Sequence, residues 1–307
     1  MSAPGPIRWG LRGHGAADPS APLSAAEVAY CAAMDAAVAA NVMAALAEDV
    51  GSGDRTGDLL DPDTAVAAQL IVRESAVLCG VAWFDALLRQ VDPRLQLEWL
   101  AAEGSMLAAG STVCLLAGPA RGLLTAERSA MNFLQLLSGV ATVTRRYVQA
   151  IADVPGNRAA IVDTRKTLPG LRLAQKYAVR MGGGVNHRLG LYDAILIKEN
   201  HIAAAGSVAG ALRAAHGRGV PVQIEVETLE QLDEALAAGA ISVLLDNFPL
   251  ERLRAAVARN AGRAVLEASG GVNLDNVRGI AATGVDRISI GSLTKDVRAT
   301  DYSLRVI

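Results

Sequence analysis

The chain has 307 residues, 51% of them apolar, and a formal net charge of −2, enough to bury a substantial core in one large domain with a smaller companion. Near-neutrality excludes the broad basic surface of a nucleic-acid binder. Three widely spaced cysteines, Cys31, Cys79 and Cys114, exclude a disulfide framework and a zinc site and suit free thiols in a reducing cytoplasm.

Residues 1–24 are polar and rich in Gly and Pro, without the charged, apolar, small order of a signal peptide. A poorly ordered tail is expected there. A helical pattern over 25–48 breaks at GSGDRTGDLL, where Gly51, Gly53 and Gly57 interrupt it. Within it the run 31–47 is mostly alanine, interrupted by Asp35 and Asn41. It is expected to be too short and too weakly apolar to span a bilayer, so no membrane partner is expected. Strands are predicted at 65–74, 95–101 and 112–117, with a helix at 81–90 between the first two, an α+β layer.

A long helix is predicted over 123–151. Beyond it, short apolar runs recur at 159–163, 194–197, 222–226, 242–245, 264–267 and 287–290, alternating with helical segments. That alternation predicts parallel βαβ units whose strands are apolar on both faces. Six or seven such strands fit an open or partial α/β barrel, with a doubly wound open sheet as the alternative that spacing leaves standing.

Polar residues follow nearly every one of these strands. The first leads into Thr164, Arg165 and Lys166, the second into Lys198, the third into Glu227 and the fourth into Asp246. The fifth ends at Ser269, Gly270 and Gly271, and the sixth at Gly291. Carboxyl ends of parallel strands are where α/β folds build their sites. Taken singly, each of these residues has a structural reading, a solvated charge, a helix cap or an ordinary turn; their matching positions on six strands do not.

The charge is also gathered. The chain has four lysines, and Lys166, Lys176 and Lys198 fall in the segment DTRKTLPGLRLAQKYAVRMGGGVNHRLGLYDAILIKENH, with Arg165, Arg172, Arg180, Arg188, His187 and His201. Such a cluster suits a small polyanion. Glu227 and Asp246 suit a hard divalent cation, Mg²⁺, brought with a phosphate substrate. The glycine-rich turns EASGGVN and SIGSLT offer backbone N–H groups to a phosphate. Lys176 and Arg180, one helical turn apart beyond the loop, read as structural.

At these residues the sequence closely resembles the quinolinate phosphoribosyltransferase family. The segments EDVGSGDRTGDLL, TAERSAMNFLQLLSGVAT, the basic stretch itself, IEVETLEQLDEA, LLDNF, LEASGGVN and ISIGSLT carry the resemblance. It implies an N-terminal α/β sandwich over 25–130, to which 297–307 can return, joined to an open α/β barrel over 131–296. It implies transfer of phosphoribose from 5-phosphoribosyl 1-diphosphate (PRPP) to quinolinate with decarboxylation, giving nicotinate mononucleotide, diphosphate and CO₂. It implies a homodimer with shared sites, open to further assembly, in which Arg128 reaches the partner subunit's site. By the same resemblance Thr164, Arg165, Lys166, His187, Arg188 and Lys198 form a cationic pocket. Glu227 and Asp246 would hold the ribose hydroxyls and Mg²⁺, and Ser269, Gly270, Gly271 and Gly291 the 5′-phosphate. Three rival functions differ in chemistry: a paralogue of the same fold acting on another base, a Schiff-base aldolase using Lys198, and a PRPP sensor without catalysis.

Overall fold

The structure, a computed structural model, describes Trp9 and residues 24–307. The tail expected over 1–24 therefore lies almost wholly outside the described residues. In chain order the elements are α1 (Ala25–Asp49), a 3-10 turn (Gly57–Leu59), β1 (Ala65–Val72), β2 (Ala76–Val77), α2 (Val81–Val91), β3 (Gln96–Trp99), β4 (Met106–Leu107), β5 (Thr112–Pro119) and α3 (Ala120–Ala152). Then come β6 (Ala160–Val162), α4 (Arg172–Met181), β7 (Ile195–Ile197), α5 (Glu199–Ala205), α6 (Val208–Ala215), β8 (Val222–Val226), α7 (Leu229–Ala237) and β9 (Ser242–Asp246). The chain ends with α8 (Leu250–Asn260), β10 (Val265–Ser269), α9 (Val277–Ala281), β11 (Arg287–Ser289), α10 (Ser292–Lys295) and β12 (Tyr302–Val306).

Among the described residues two compact units result, one of Trp9 with residues 24–143, 168–183 and 296–307, the other of 144–167 and 184–295. The first holds an antiparallel sheet in the order β12-β1-β5-β3. Ala68, Leu70 and Val72 alternate into its core, as a strand's two-residue period requires. Helix α2 buries Trp83, Phe84, Leu87 and Leu88.

Helix α1 starts at a capping box, with the Ser24 N–H donating to Glu27 Oε2 at 2.8 Å and the Glu27 N–H to Ser24 Oγ at 3.3 Å. It buries Met34, Val38 and Val42 as a stripe at four-residue spacing. Asn41 sits beside that stripe, accepting from Trp83 Nε1 at 3.1 Å and donating to the Gly170 carbonyl at 3.2 Å. The expectation that the run 31–47 is too short and too weakly apolar to span a bilayer is corrected: the stretch Glu27–Asp49 is long and apolar enough to cross one by length and composition. The alanines flanking the stripe supply that apolarity.

The first unit runs past the boundary expected at 130, and it takes in residues 297–307, the return that the resemblance had left open. Residues 131–143 continue α3 within the first unit, and 168–183, which interrupt the barrel sequence, count with that unit as well. The cause is α4: Tyr177 packs edge-on against Trp9, with ring centroids 5.4 Å apart, and lies 5.8 Å from the Trp83 ring. Its hydroxyl donates to Glu103 Oε1 at 3.0 Å, and Glu103 in turn accepts the Gly80 and Val81 N–H groups at the start of α2. Lys176 is buried in the same helix, and Arg180 donates to the Trp9 carbonyl and stacks over Tyr30. Both therefore belong to this packing, as read. Burial pushes the Cys114 thiol up to about 12, which keeps it inert.

The second unit is a six-stranded parallel sheet in the order β6-β11-β10-β9-β8-β7. Each strand from β7 to β11 lies beside its predecessor, and β11 returns to β6. A doubly wound sheet would start in the middle and run outward. The observed order is that of a barrel opened between its first and second strands. On that open side Val185 makes a single bridge to Val162, a fragment where a seventh strand would stand.

Candidate active site

All the strand-end residues singled out in the second half of the sequence lie in the second unit, on one arc. Following the sheet from β7 to β6, the ends present Lys198, Glu227, Asp246, Ser269 with Gly270 and Gly271, Gly291, and finally Thr164, Arg165 and Lys166. The parallel register pairs Val226 with Leu245, so Glu227 and Asp246 leave the sheet side by side.

At the β6 end Asp163 is fully buried and accepts from Asn186 Nδ2 at 2.6 Å and from the His187 N–H at 2.8 Å. This ties the 186–188 loop to the strand that carries Thr164, Arg165 and Lys166. Arg188 donates from Nη1 to the Ala194 carbonyl at 3.2 Å. Its pKa is lowered first by burial and then by the Arg165 guanidinium. Two arginines close enough to repel, one of them partly desolvated, form a place that an anion would relieve.

Lys198 precedes α5, and its ammonium reaches both Glu225 oxygens, at 2.9 and 3.2 Å. Its own N–H donates to His201 Nδ1 at 3.1 Å, so His201 caps the helix. Glu227 and Asp246 do not cap the helices that follow them: Thr228 caps α7, and Pro249 stands at the start of α8. Both carboxylates are thereby left for other work. Among the described residues no group of three or more His, Cys, Asp or Glu side chains could hold a metal. Two adjacent hard-oxygen donors fit a Mg²⁺ that takes its remaining ligands from water and a diphosphate.

Two of these glycines lie close against side chains of neighbouring strand ends. At Gly270 (φ 98°) a Cβ would overlap the Asn247 side-chain amide. The Asn247 N–H donates to the Ser269 carbonyl at 2.9 Å, and Asn247 Nδ2 to Asp246 Oδ2 at 2.8 Å. A Cβ on Gly291 would lie 2.9 Å from Lys166 Cδ and 3.7 Å from Thr164 Oγ1. Gly291 thus lets the cationic loop lie directly against the β11 end.

Family models match most of the chain: the quinolinate phosphoribosyl transferase N-terminal domain matches residues 54–138 and the C-terminal domain residues 140–305. The chain belongs to the quinolinate phosphoribosyltransferase family. It is 45% identical over 272 residues to a nicotinate-nucleotide pyrophosphorylase [carboxylating] of Mycobacterium leprae, covering 85% of this chain and 94% of that one. It is 41% identical over 262 residues to a probable enzyme of the same name from Bacillus subtilis, covering 84% and 90%. The structure of the nicotinate-nucleotide pyrophosphorylase from Francisella tularensis superposes with a TM-score of 0.86 at 44% identity, over 89% of this chain and 97% of that one.

Within this family framework, sequence reasoning missed the polar residues inside the barrel. Glu225, Gln223 and Glu267 are buried mid-strand, one layer below the strand ends. The signal was VQIEVE, in which Gln223, Glu225 and Glu227 alternate along a strand expected to be apolar on both faces. Arg128 lies in the first unit, on the exposed side of α3, at the rim of a cavity of about 450 Å³ that Arg55, Asp54 and Thr125 also line. Asp54 shapes that rim by accepting from the Thr56 and Gly57 N–H groups and from Thr125 Oγ1.

Proposed function

We propose that the protein transfers phosphoribose from PRPP to the ring nitrogen of quinolinate with loss of the 2-carboxylate, giving nicotinate mononucleotide, diphosphate and CO₂ for NAD synthesis. Beside family membership, one observation carries the reading: Arg165, Lys166 and Arg188 stand at one end of the arc and Lys198 at the other, with Glu227, Asp246 and the glycine turns between them. Quinolinate brings two carboxylates and PRPP a diphosphate and a monophosphate, which is the charge census of that arc.

Arg165 and Arg188 would grip the quinolinate carboxylates through bidentate forks. As the C1′–O bond lengthens, negative charge grows on the leaving diphosphate and positive charge on the ribose. Lys166, beside Gly291, would meet the first; Glu227 and Asp246 would meet the second and hold the ribose hydroxyls. Mg²⁺ held by Glu227 and Asp246 would neutralise charge on the diphosphate. Decarboxylation needs little from the protein, because the ribosylated ring nitrogen is itself the electron sink. Lys198, paired with Glu225, or a water would supply the proton to the carbanion.

The active unit is a homodimer in which Arg128 reaches the partner subunit's site. The buried thiols Cys79 and Cys114 suit a reducing compartment, the cytoplasm. Purified protein given quinolinate, PRPP and Mg²⁺ should release nicotinate mononucleotide and CO₂ in equal amounts. Turnover of nicotinate in place of quinolinate, without CO₂, would assign the chain to a paralogous reaction.

A further inference from the structure

His187 was read as one cation among several, yet both of its ring nitrogens are engaged inside the protein. The Arg188 N–H donates to His187 Nδ1 at 2.8 Å, so Nδ1 carries no hydrogen. The ring's hydrogen is then on Nε2, which faces Gln223 Oε1 at 2.8 Å. Gln223 must present its oxygen to the ring, and its amide nitrogen accordingly donates to Glu267 Oε2 at 3.0 Å. Every donor in this series meets an acceptor, and reversing any one amide or ring would set two donors or two acceptors face to face.

The series is anchored in the barrel interior. Glu267 is 0% exposed and Gln223 6%, so neither can trade its partner for water. The second Glu267 oxygen makes no hydrogen bond and lies 3.7 Å from His187 Nε2, which adds attraction for a hydrogen on that nitrogen. At the other end Asp163 fixes the His187 main chain. The Arg188 main chain is thus held from both sides, by the loop and by the imidazole.

We infer that Gln223 and Glu267 are positioning residues for substrate recognition: they hold His187 as a neutral strut, hydrogen on Nε2, whose Nδ1 fixes the main chain of Arg188 and with it the guanidinium that meets the dicarboxylate. The ligand in this statement rests on the quinolinate reading above; the placement of the ring hydrogen does not. Second-layer partners of this kind set the tautomer and direction of an imidazole without touching substrate.

Two measurements on the full-length enzyme test the inference. In the native protein labelled with ¹⁵N-histidine, the His187 signals, identified by their loss in His187→Gln, should show an unprotonated Nδ1 and a protonated Nε2 at neutral pH. A hydrogen on Nδ1, or on both nitrogens, would overturn the relay. In Gln223→Met, which keeps the volume and removes both hydrogen bonds, KM for quinolinate should rise about ten-fold, in line with the loss of one positioned hydrogen bond. KM for PRPP should stay within about two-fold and the His187 signals should move. An unchanged KM for quinolinate, or an equal rise in both KM values, would reject a positioning role. If Gln223→Met fails to fold, the native spectrum still decides. Failure of the native enzyme to use quinolinate would reject the functional reading and leave the spectrum as the sole judge of the relay.

Discussion

Lys198 is a half-exposed ammonium whose direction is set by a buried carboxylate, with Glu225 oxygens at 2.9 and 3.2 Å. In water such a pair would contribute little. Here it fixes where the charge points before substrate arrives, which is the kind of preorganisation that transition states reward. Lys198→Met should therefore lower kcat by at least about 10²-fold with an unchanged circular dichroism spectrum, and near-normal turnover would sink the assignment. Glu225→Gln keeps an oxygen near the ammonium but removes the charge that holds it, so a smaller loss, about ten-fold in kcat, is expected in the same assay. Lys198 was legible in the sequence because a charge following an apolar strand breaks the pattern. Gln223 and Glu225 left a trace in the alternation of VQIEVE, whereas Glu267, a lone buried mid-strand carboxylate, shows its role only once its cross-barrel partners are known.

At the scale of elements, the parallel strands announced themselves as apolar runs with polar ends, because strands covered on both faces tolerate little else. Strand β12 and helix α4 carried no comparable signal. Their allegiance depends on contacts distant in sequence: Ala68 to Leu70 of β1 pair with Val306 to Leu304, and Tyr177 reaches Glu103. The pair β2 and β4, two residues each, is too short for any periodicity to show. One glycine records how the terminal strand docks. Gly139 lies in α3, where a Cβ would run into the Arg298 carbonyl oxygen, beside the Thr300 N–H bond to the Gln135 carbonyl at 3.0 Å. Alanine is worth about 1 kcal/mol more than glycine inside a helix, so propensity alone predicts that Gly139→Ala stabilises. The overlap is with backbone, which cannot rotate away, and forced overpacking costs about 1–3 kcal/mol. The overlap should win, lowering the thermal midpoint by about 2–5 °C in calorimetry. A rise in the midpoint would show that residues 296–300 do not seat on α3 as described.

At the scale of the whole molecule, the charges assigned to the proposed site are divided between the two units. The second carries the arc of strand ends, and the first carries Arg128 beside the cavity that Arg55 also lines. The isologous dimer proposed for this enzyme makes each site from the barrel of one subunit and Arg128 of the other. Arg128→Ala and Lys198→Met should each be nearly inactive alone. Mixed and allowed to exchange subunits, they form hybrids in which one site joins an intact barrel to an intact Arg128, while the other site carries both lesions. Random exchange makes half the dimers hybrid, and half the sites in each hybrid are intact, so roughly a quarter of native activity should return. If Arg128 served the barrel of its own chain, every site in every combination would keep one lesion. The mixture would then stay inactive however long the subunits exchanged, and the shared-site dimer would have to be abandoned while the chemistry assigned to the barrel stood.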